Sequence, residues 1–141
     1  MSTISPQTLS DAEQRALLQS ARVIAVVGFS DNPERTSHRI GRFLQRVGYT
    51  VYPVNPTVSR IGEDISYPTL ADVPEHIDIV NVFRRSEYLP EVVDDAIAVG
   101  AGAIWAQLGI EHEEAARRAR EAGIPLVMNN CIMVTYQRLI G

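Results

Sequence analysis

The run Val23-Ile-Ala-Val-Val-Gly-Phe-Ser30 decides the fold. Its first five residues are apolar and mostly β-branched, with no polar residue at either alternate position. That pattern predicts a strand buried on both faces, the mark of a parallel sheet flanked by helices. The run stops at Gly28, where a chain can turn sharply. Asp31-Asn-Pro-Glu34 follows as loop chemistry. Beyond it Ile40, Phe43, Leu44 and Val47 recur at helical spacing, and Gly48 stands where a helix-ending glycine belongs. The unit is thus strand, turn, helix.

Working outward, the same unit repeats. Upstream, Ser10-Asp-Ala-Glu13 has the form of a capping box, which predicts a helix to about Ser20 with Leu17 and Leu18 facing inward. Downstream, Tyr49 to Val54 reads as a second strand, stopped by Asn55-Pro56. Thr57 to Pro74 contains Gly62, Pro68 and Pro74 and reads as loop, with a short helix around Thr69 to Val73. Ile77 to Phe83 is a third strand, and a helix with Pro90 in its first turn runs through Val92, Val93, Ala96 and Ile97 to Gly100. Ala103 to Ala106 is a fourth strand. Glu111 to Ala122 is a helix with Glu113/Arg117 and Glu114/Arg118 pairs, ended by Gly123. Pro125 to Met128 is a fifth strand and Cys131 to Leu139 a last helix. The alternation predicts an α/β, Rossmann-like, doubly wound fold: a mainly parallel five-stranded sheet with helices on both faces.

Composition agrees with this class. The chain has 141 residues, 45% hydrophobic and 21% charged, which suits one globular domain over residues 1–141, with residues 1–20 as a helical extension packed on it. The formal charge of −4 speaks against nucleic acid as a partner. The single cysteine excludes an internal disulfide and fits a reducing cytoplasm. Met1 to Ser10 is polar and includes Pro6, without the basic and apolar segments of a signal peptide. Val23 to Val27 is far too short to span a bilayer. Cytoplasmic localisation and no membrane association are the expectations.

In doubly wound sheets a ligand sits at the C-terminal ends of the strands, and three of those ends carry chemistry. After the first strand come Gly28, Ser30, Arg35, Thr36 and Ser37: a turn, hydroxyls, a planar guanidinium suited to phosphate, and a helix N-terminus with unpaired N–H groups. The bland alternative is a connection whose serine caps the helix while Arg35 is solvated. After the second strand comes Pro53-Val-Asn-Pro56, whose plain reading is a strand-stopping turn. After the third come Phe83, Arg84, Arg85 and Ser86, which place two cations and a flat aromatic at one crevice, or else a solvated arginine pair. A dinucleotide fingerprint would need Gly-x-Gly-x-x-Gly after strand one and an acidic residue ending strand two. Here Ser30 and Pro33 replace the later glycines and Asn55 the acid, which disfavours NAD.

Other chemistry is thinner. Of the three histidines, His38 is placed on a solvated polar stripe with Arg42, His76 in a loop, and His112 beside a helix start. None has partners at metal-ligand spacing, so no metal is expected. Neither a Gly-x-Ser-x-Gly nucleophile nor a Gly-x-x-x-x-Gly-Lys loop is present. Cys131 reads as a structural cysteine, and Trp105 and Tyr49 as core.

The run Ile24-Ala-Val-Val-Gly-Phe-Ser30 with Pro33, Arg35 and Ser37, then Gly48-Tyr49, Val54-Asn-Pro56, Asp78-Ile-Val80, Val82-Phe-Arg84, Gly100-Ala101 and Ile104-Trp-Ala-Gln-Leu-Gly109, resembles the small stand-alone CoA-binding proteins. These are similar to the N-terminal CoA-binding domain of the succinyl-CoA synthetase alpha subunit. The resemblance covers about Ala21 to Leu139. It implies that Gly28, Phe29 and Ser30 cradle the CoA phosphates, and that Arg35 and Ser37 hold a phosphate near the helix start. Val54, Asn55 and Pro56 would line the nucleotide crevice. Phe83 and Arg84 would border the adenosine or the start of the pantetheine arm, with Gln107 and Gly109 towards the end where the arm leaves. The family often has an acidic-basic pair before its late cysteine. Here that place is Asn129-Asn130, so no charge-based role carries over to that end.

The expectation is therefore a protein that binds coenzyme A or an acyl-CoA as its small-molecule ligand and is non-catalytic on its own. The rival readings are an NAD(P)-dependent oxidoreductase, or a subunit of a CoA-dependent ligase or transferase.

Overall fold

The computed structural model describes residues 9–141, so the reading of Met1 to Ser10 falls, for residues 1–8, outside the described residues. Ser10 caps α1 (Asp11–Ser20) through the expected box: its side chain accepts from the Glu13 N–H, and the Glu13 carboxylate accepts from the Ser10 N–H. The chain then forms β1 (Val23–Val27), α2 (Thr36–Arg46), β2 (Thr50–Val54), a small hairpin of β3 (Arg60–Ile61) and β4 (Asp64–Ile65), a 3-10 turn at Leu70–Asp72, β5 (Ile79–Val82), α3 (Leu89–Ala98), β6 (Ile104–Ala106), α4 (Glu113–Ala122), β7 (Leu126–Val127) and α5 (Ile132–Leu139).

Five strands form one parallel sheet in the order β2-β1-β5-β6-β7. The order reverses between β1 and β5, which makes their C-terminal ends the switch point of a doubly wound sheet. Side chains alternate across the sheet and split the core in two. Ala25, Val27, Val80, Val82 and Ile104 pack with Leu89, Val92, Val93 and Ala96 of α3 and with Ala115, Ala116 and Ala119 of α4. Ile24, Val26, Ile79, Trp105 and Val127 pack on the other face with Leu18 of α1, Ile40, Phe43 and Leu44 of α2, and Ile132 of α5. Helices therefore cover both faces. α1 lies against α5, joined by an Asp11–Arg138 ion pair at 2.9 Å.

Several local expectations change. β5 begins at Ile79 rather than Ile77, because Asp78 turns its carboxylate to accept from the Arg22 and Val23 N–H groups, both at 2.9 Å. The loop before it contains the β3–β4 hairpin, closed by Gly62 at φ +62°. Arg42 of α2 clamps that hairpin through the Asp64 carboxylate and the Ile61 carbonyl. α4 begins at Glu113 because His112 is its cap, with Nδ1 accepting from Glu114 N at 3.1 Å. The Glu113/Arg117 pair does not form. Arg117 instead meets Glu114 and Glu121, one turn away on either side, and Arg118 shares Glu114 as expected while also reaching Asp94.

Candidate functional site

Gly28 ends β1 at the switch point with φ +90°, a conformation that favours glycine. A Cβ there would lie 3.0 Å from the Phe83 carbonyl oxygen after β5. The glycine thus lets two strand ends approach closely, and it opens the crevice on both sides, since two cavities meet at Gly28.

On the α2 side the cavity is about 420 Å³, lined by Ser30, Glu34, Arg35, Thr36, Ser37 and Phe83 besides Gly28. The loop that forms it is tied internally. Ser37 Oγ accepts from Ser30 N at 2.9 Å, Ser30 Oγ from Asn32 N at 3.0 Å, and Asn32 Oδ1 from Glu34 N at 3.0 Å. α2 has no side-chain cap and no acidic residue in its first turn. The N–H groups of Thr36 and Ser37 therefore stay free at the positive end of the helix dipole. The Arg35 side chain is exposed and makes no hydrogen bond or ion pair among the described residues. Free amides, a dipole end and an unengaged guanidinium suit a phosphate group.

On the α3 side the cavity is about 480 Å³, within the size range of small-molecule sites. Val27, Val54 and Leu70 make it apolar at depth, and Asn55, Pro56, Thr57, Pro68 and Thr69 form one wall. The opposite wall comes from Arg84 and from Glu91, Val92 and Asp95 of α3. The Arg84 guanidinium lies over the Tyr88 ring at 4.3 Å and 3.8 Å from Glu91 Oε1. The Asp95 carboxyl is raised above its own ordinary value by partial burial first, then by the negative Glu91 and Asp94, with Arg84 opposing.

Asn55 joins the two sides. Its amide donates to the Phe29 carbonyl at 3.0 Å, and its oxygen accepts from Thr57 N at 2.9 Å and Thr57 Oγ1 at 2.7 Å. It is thus more than a strand-stopping turn residue: it fixes the β2 loop to the β1 loop. Phe83 and Arg84 follow β5 as neighbours in sequence but turn to opposite sides, so Phe83 lines the α2-side cavity and Arg84 the α3-side one.

Three side chains lie elsewhere than the sequence suggests. The Phe29 side chain does not face the crevice: it is fully buried beneath α2, in the space that Gly41 leaves open. Only its backbone belongs to the loop. His38 is not on a solvated face, because its ring packs edge-on to Phe29 at 5.6 Å and Nδ1 lies 2.8 Å from the Ser30 carbonyl. Arg85 points to solvent near Glu87 instead of joining Arg84. His76 is in a loop as expected, 3.6 Å from the Asp78 carboxylate at the N-terminal end of β5, the far end from the crevice.

Gln107 and Gly109 line neither cavity. Gln107 is buried, and its Oε1 accepts from Asn81 Nδ2 at 3.1 Å and Ile132 N at 3.0 Å, which fixes the start of α5. Gly109 sits in an exposed turn, its N–H donating to Asn129 Oδ1 at 2.7 Å. Cys131 is half-buried at the α5 cap position. Sequence reasoning missed the α3 wall, Glu91 and Asp95, and the Pro68 to Leu70 segment. A prolyl turn and helix-borne acids carry no local signal of a site. Among the described residues no group of three or more His, Cys, Asp or Glu could hold a metal ion, and no helix is long and apolar enough to cross a membrane.

Residues 22–137 match the family described as CoA binding domain. The chain is 42% identical over 130 residues to the uncharacterized protein YneT of Bacillus subtilis, covering 92% of this chain and 96% of that one. A hypothetical protein from Pyrococcus horikoshii superposes with a TM-score of 0.91 at 37% identity, covering 94% of each chain. An ADP-forming acetate–CoA ligase of Archaeoglobus fulgidus is 28% identical over 123 residues, which cover 79% of this chain and 18% of the ligase.

Proposed function

Because the chain belongs to the CoA-binding domain family, we propose that it binds coenzyme A, free or acylated, in the crevice that opens on both sides of Gly28. The observation that carries this reading is the junction of two unlike cavities at one glycine. One offers the bare start of α2 with Arg35, which suits the diphosphate. The other is apolar at depth and large enough for a nucleoside. Gly28 lets the chain of the ligand pass close to the backbone, and Asn55 holds the two loops in register. The residues that would contact the ligand are then Gly28, Ser30, Arg35 and Ser37 on one side and Val54, Asn55, Pro56 and Arg84 on the other, with Phe83 beside the phosphates.

The proposal includes that the isolated chain does not turn CoA over. A ligase-type reaction needs a group to carry phosphate or a proton. The three histidines are committed elsewhere: His38 to the Ser30 carbonyl, His112 to the cap of α4, and His76 to the opposite end of the sheet. The test is thermal denaturation with CoA, NAD and NADP at equal concentration. CoA should raise the melting temperature most, and equal or larger stabilisation by NAD would overturn the reading. In parallel, incubation with CoA, ATP, magnesium and acetate or succinate should yield no acyl-CoA above a heat-killed control.

A further inference from the structure

Resting on the CoA reading, we infer that Asp95 selects the base of the bound nucleotide, accepting a hydrogen bond from an exocyclic amino group such as that of adenine. The α3-side cavity carries one cation and two carboxylates, Arg84, Glu91 and Asp95. Their sum is negative, so this is the wrong place for a diphosphate, which has the free amides and Arg35 of the other cavity available. What the α3 side suits is the base, which unlike the diphosphate and the ribose phosphate of CoA carries no charge.

The three charged groups are not equivalent. Arg84 is held over Tyr88 and faces Glu91. Asp95 has no side-chain hydrogen bond or ion pair among the described residues, unlike Asp94 beside it, which is engaged by Arg118 at 2.6 Å and lines neither cavity. Asp95 stands one helical turn after Val92 and Glu91, on the face of α3 that walls the cavity. It is an ionisable acceptor without a donor, at the wall of a cavity with apolar residues beneath. A carboxylate only accepts hydrogen bonds. A base with an amino group at that edge gains a charge-assisted bond. A base with a carbonyl at that position sets a second acceptor against the carboxylate and loses that bond.

The experiment compares CoA with its inosine analogue, in which the 6-amino group is replaced by a carbonyl oxygen. Dissociation constants are measured by calorimetry for the unaltered protein, Asp95→Asn and Asp94→Asn. The unaltered protein should favour CoA by roughly tenfold or more, the usual weight of a hydrogen bond to a charged group. Asp95→Asn adds a donor that suits the carbonyl, so it should bring the ratio near unity or invert it, while Asp94→Asn leaves it unchanged. Equal affinities in the unaltered protein would overturn the inference and leave CoA binding standing. So would an Asp95→Asn variant that weakens both ligands alike, since that is what a structural role predicts. No measurable binding of either ligand would overturn the CoA reading and the base selection with it.

Discussion

Replacing Arg35 with alanine separates ligand binding from folding. The guanidinium is exposed at the cap position of α2, bonds to nothing among the described residues, and makes no side-chain cap. Its loss should therefore move the stability of the unliganded protein by no more than about 0.5 kcal/mol, as for an ordinary surface substitution. For a chain of 141 residues that is about 2 °C or less in melting temperature. On the proposed placement of CoA, the same side chain would face a diphosphate beside the free Thr36 and Ser37 amides. A hydrogen bond to a charged partner is worth about 1.5–3 kcal/mol, which converts to a roughly 10- to 150-fold rise in the dissociation constant. Two effects bear on where the value falls. The cavity is open, so salt screens the interaction over about 10 Å at 0.1 M, and Glu34 on the same wall opposes an anion. Both argue for the lower end, and for a loss that shrinks as salt is raised. Arg35→Lys keeps the charge but not the planar fork, and should recover only part of the affinity. Calorimetric titration with CoA at two ionic strengths, alongside melting of the unliganded variants, reads all of this. An unchanged affinity would refute the placement of the phosphates at α2 and move attention to Arg84. A large loss of unliganded stability would refute the view that Arg35 is idle without ligand.

Two further expectations concern the fold. Gly41→Ala places a Cβ 2.2 Å from Cε2 of the Phe29 ring, which is fully buried. Overpacking of about 1–3 kcal/mol should exceed the helix-propensity gain of at most about 1 kcal/mol, so urea denaturation should show a net loss, and a stabilised variant would contradict the packing. Glu114 is held down to about 2 from an ordinary 4.5, first by hydrogen bonds from Arg117 and Arg118. Its folded value lies below its unfolded one, so its contribution is present above pH 4.5 and is lost as pH falls towards 2. In pH-dependent melting, Glu114→Gln should flatten the acid limb of the stability profile, and an unaltered slope would count against the Arg117–Glu114–Arg118 cluster.

What the sequence determines by itself is everything governed by local pattern. Val23 to Val27 requires a strand buried on both faces, the stripe at Ile40, Phe43, Leu44 and Val47 requires a helix after it, and the repetition of that unit leaves little besides a doubly wound sheet. The Ser10–Glu13 box and Gly48 mark helix ends through bonds that span only a few residues. Candidate positions at strand ends follow from the same logic, since the end of a strand is a local fact. Tertiary structure alone decides which way those residues face and what they meet. Phe29 and Ser30 are adjacent, yet one is core and the other loop, because Gly41 of α2 leaves a space that an aromatic ring fills. Phe83 and Arg84 separate into different cavities because successive residues of an extended chain point to opposite sides, an alternation that carries on just past the end of β5. Gln107 is drawn into holding Asn81 and the start of α5, since a buried amide must find partners. The acidic wall of α3 reaches the crevice only because the strand order reverses between β1 and β5, which brings together segments about 40 to 70 residues apart in the chain. No window of sequence contains that juxtaposition, because it is made by strand pairing across the sheet.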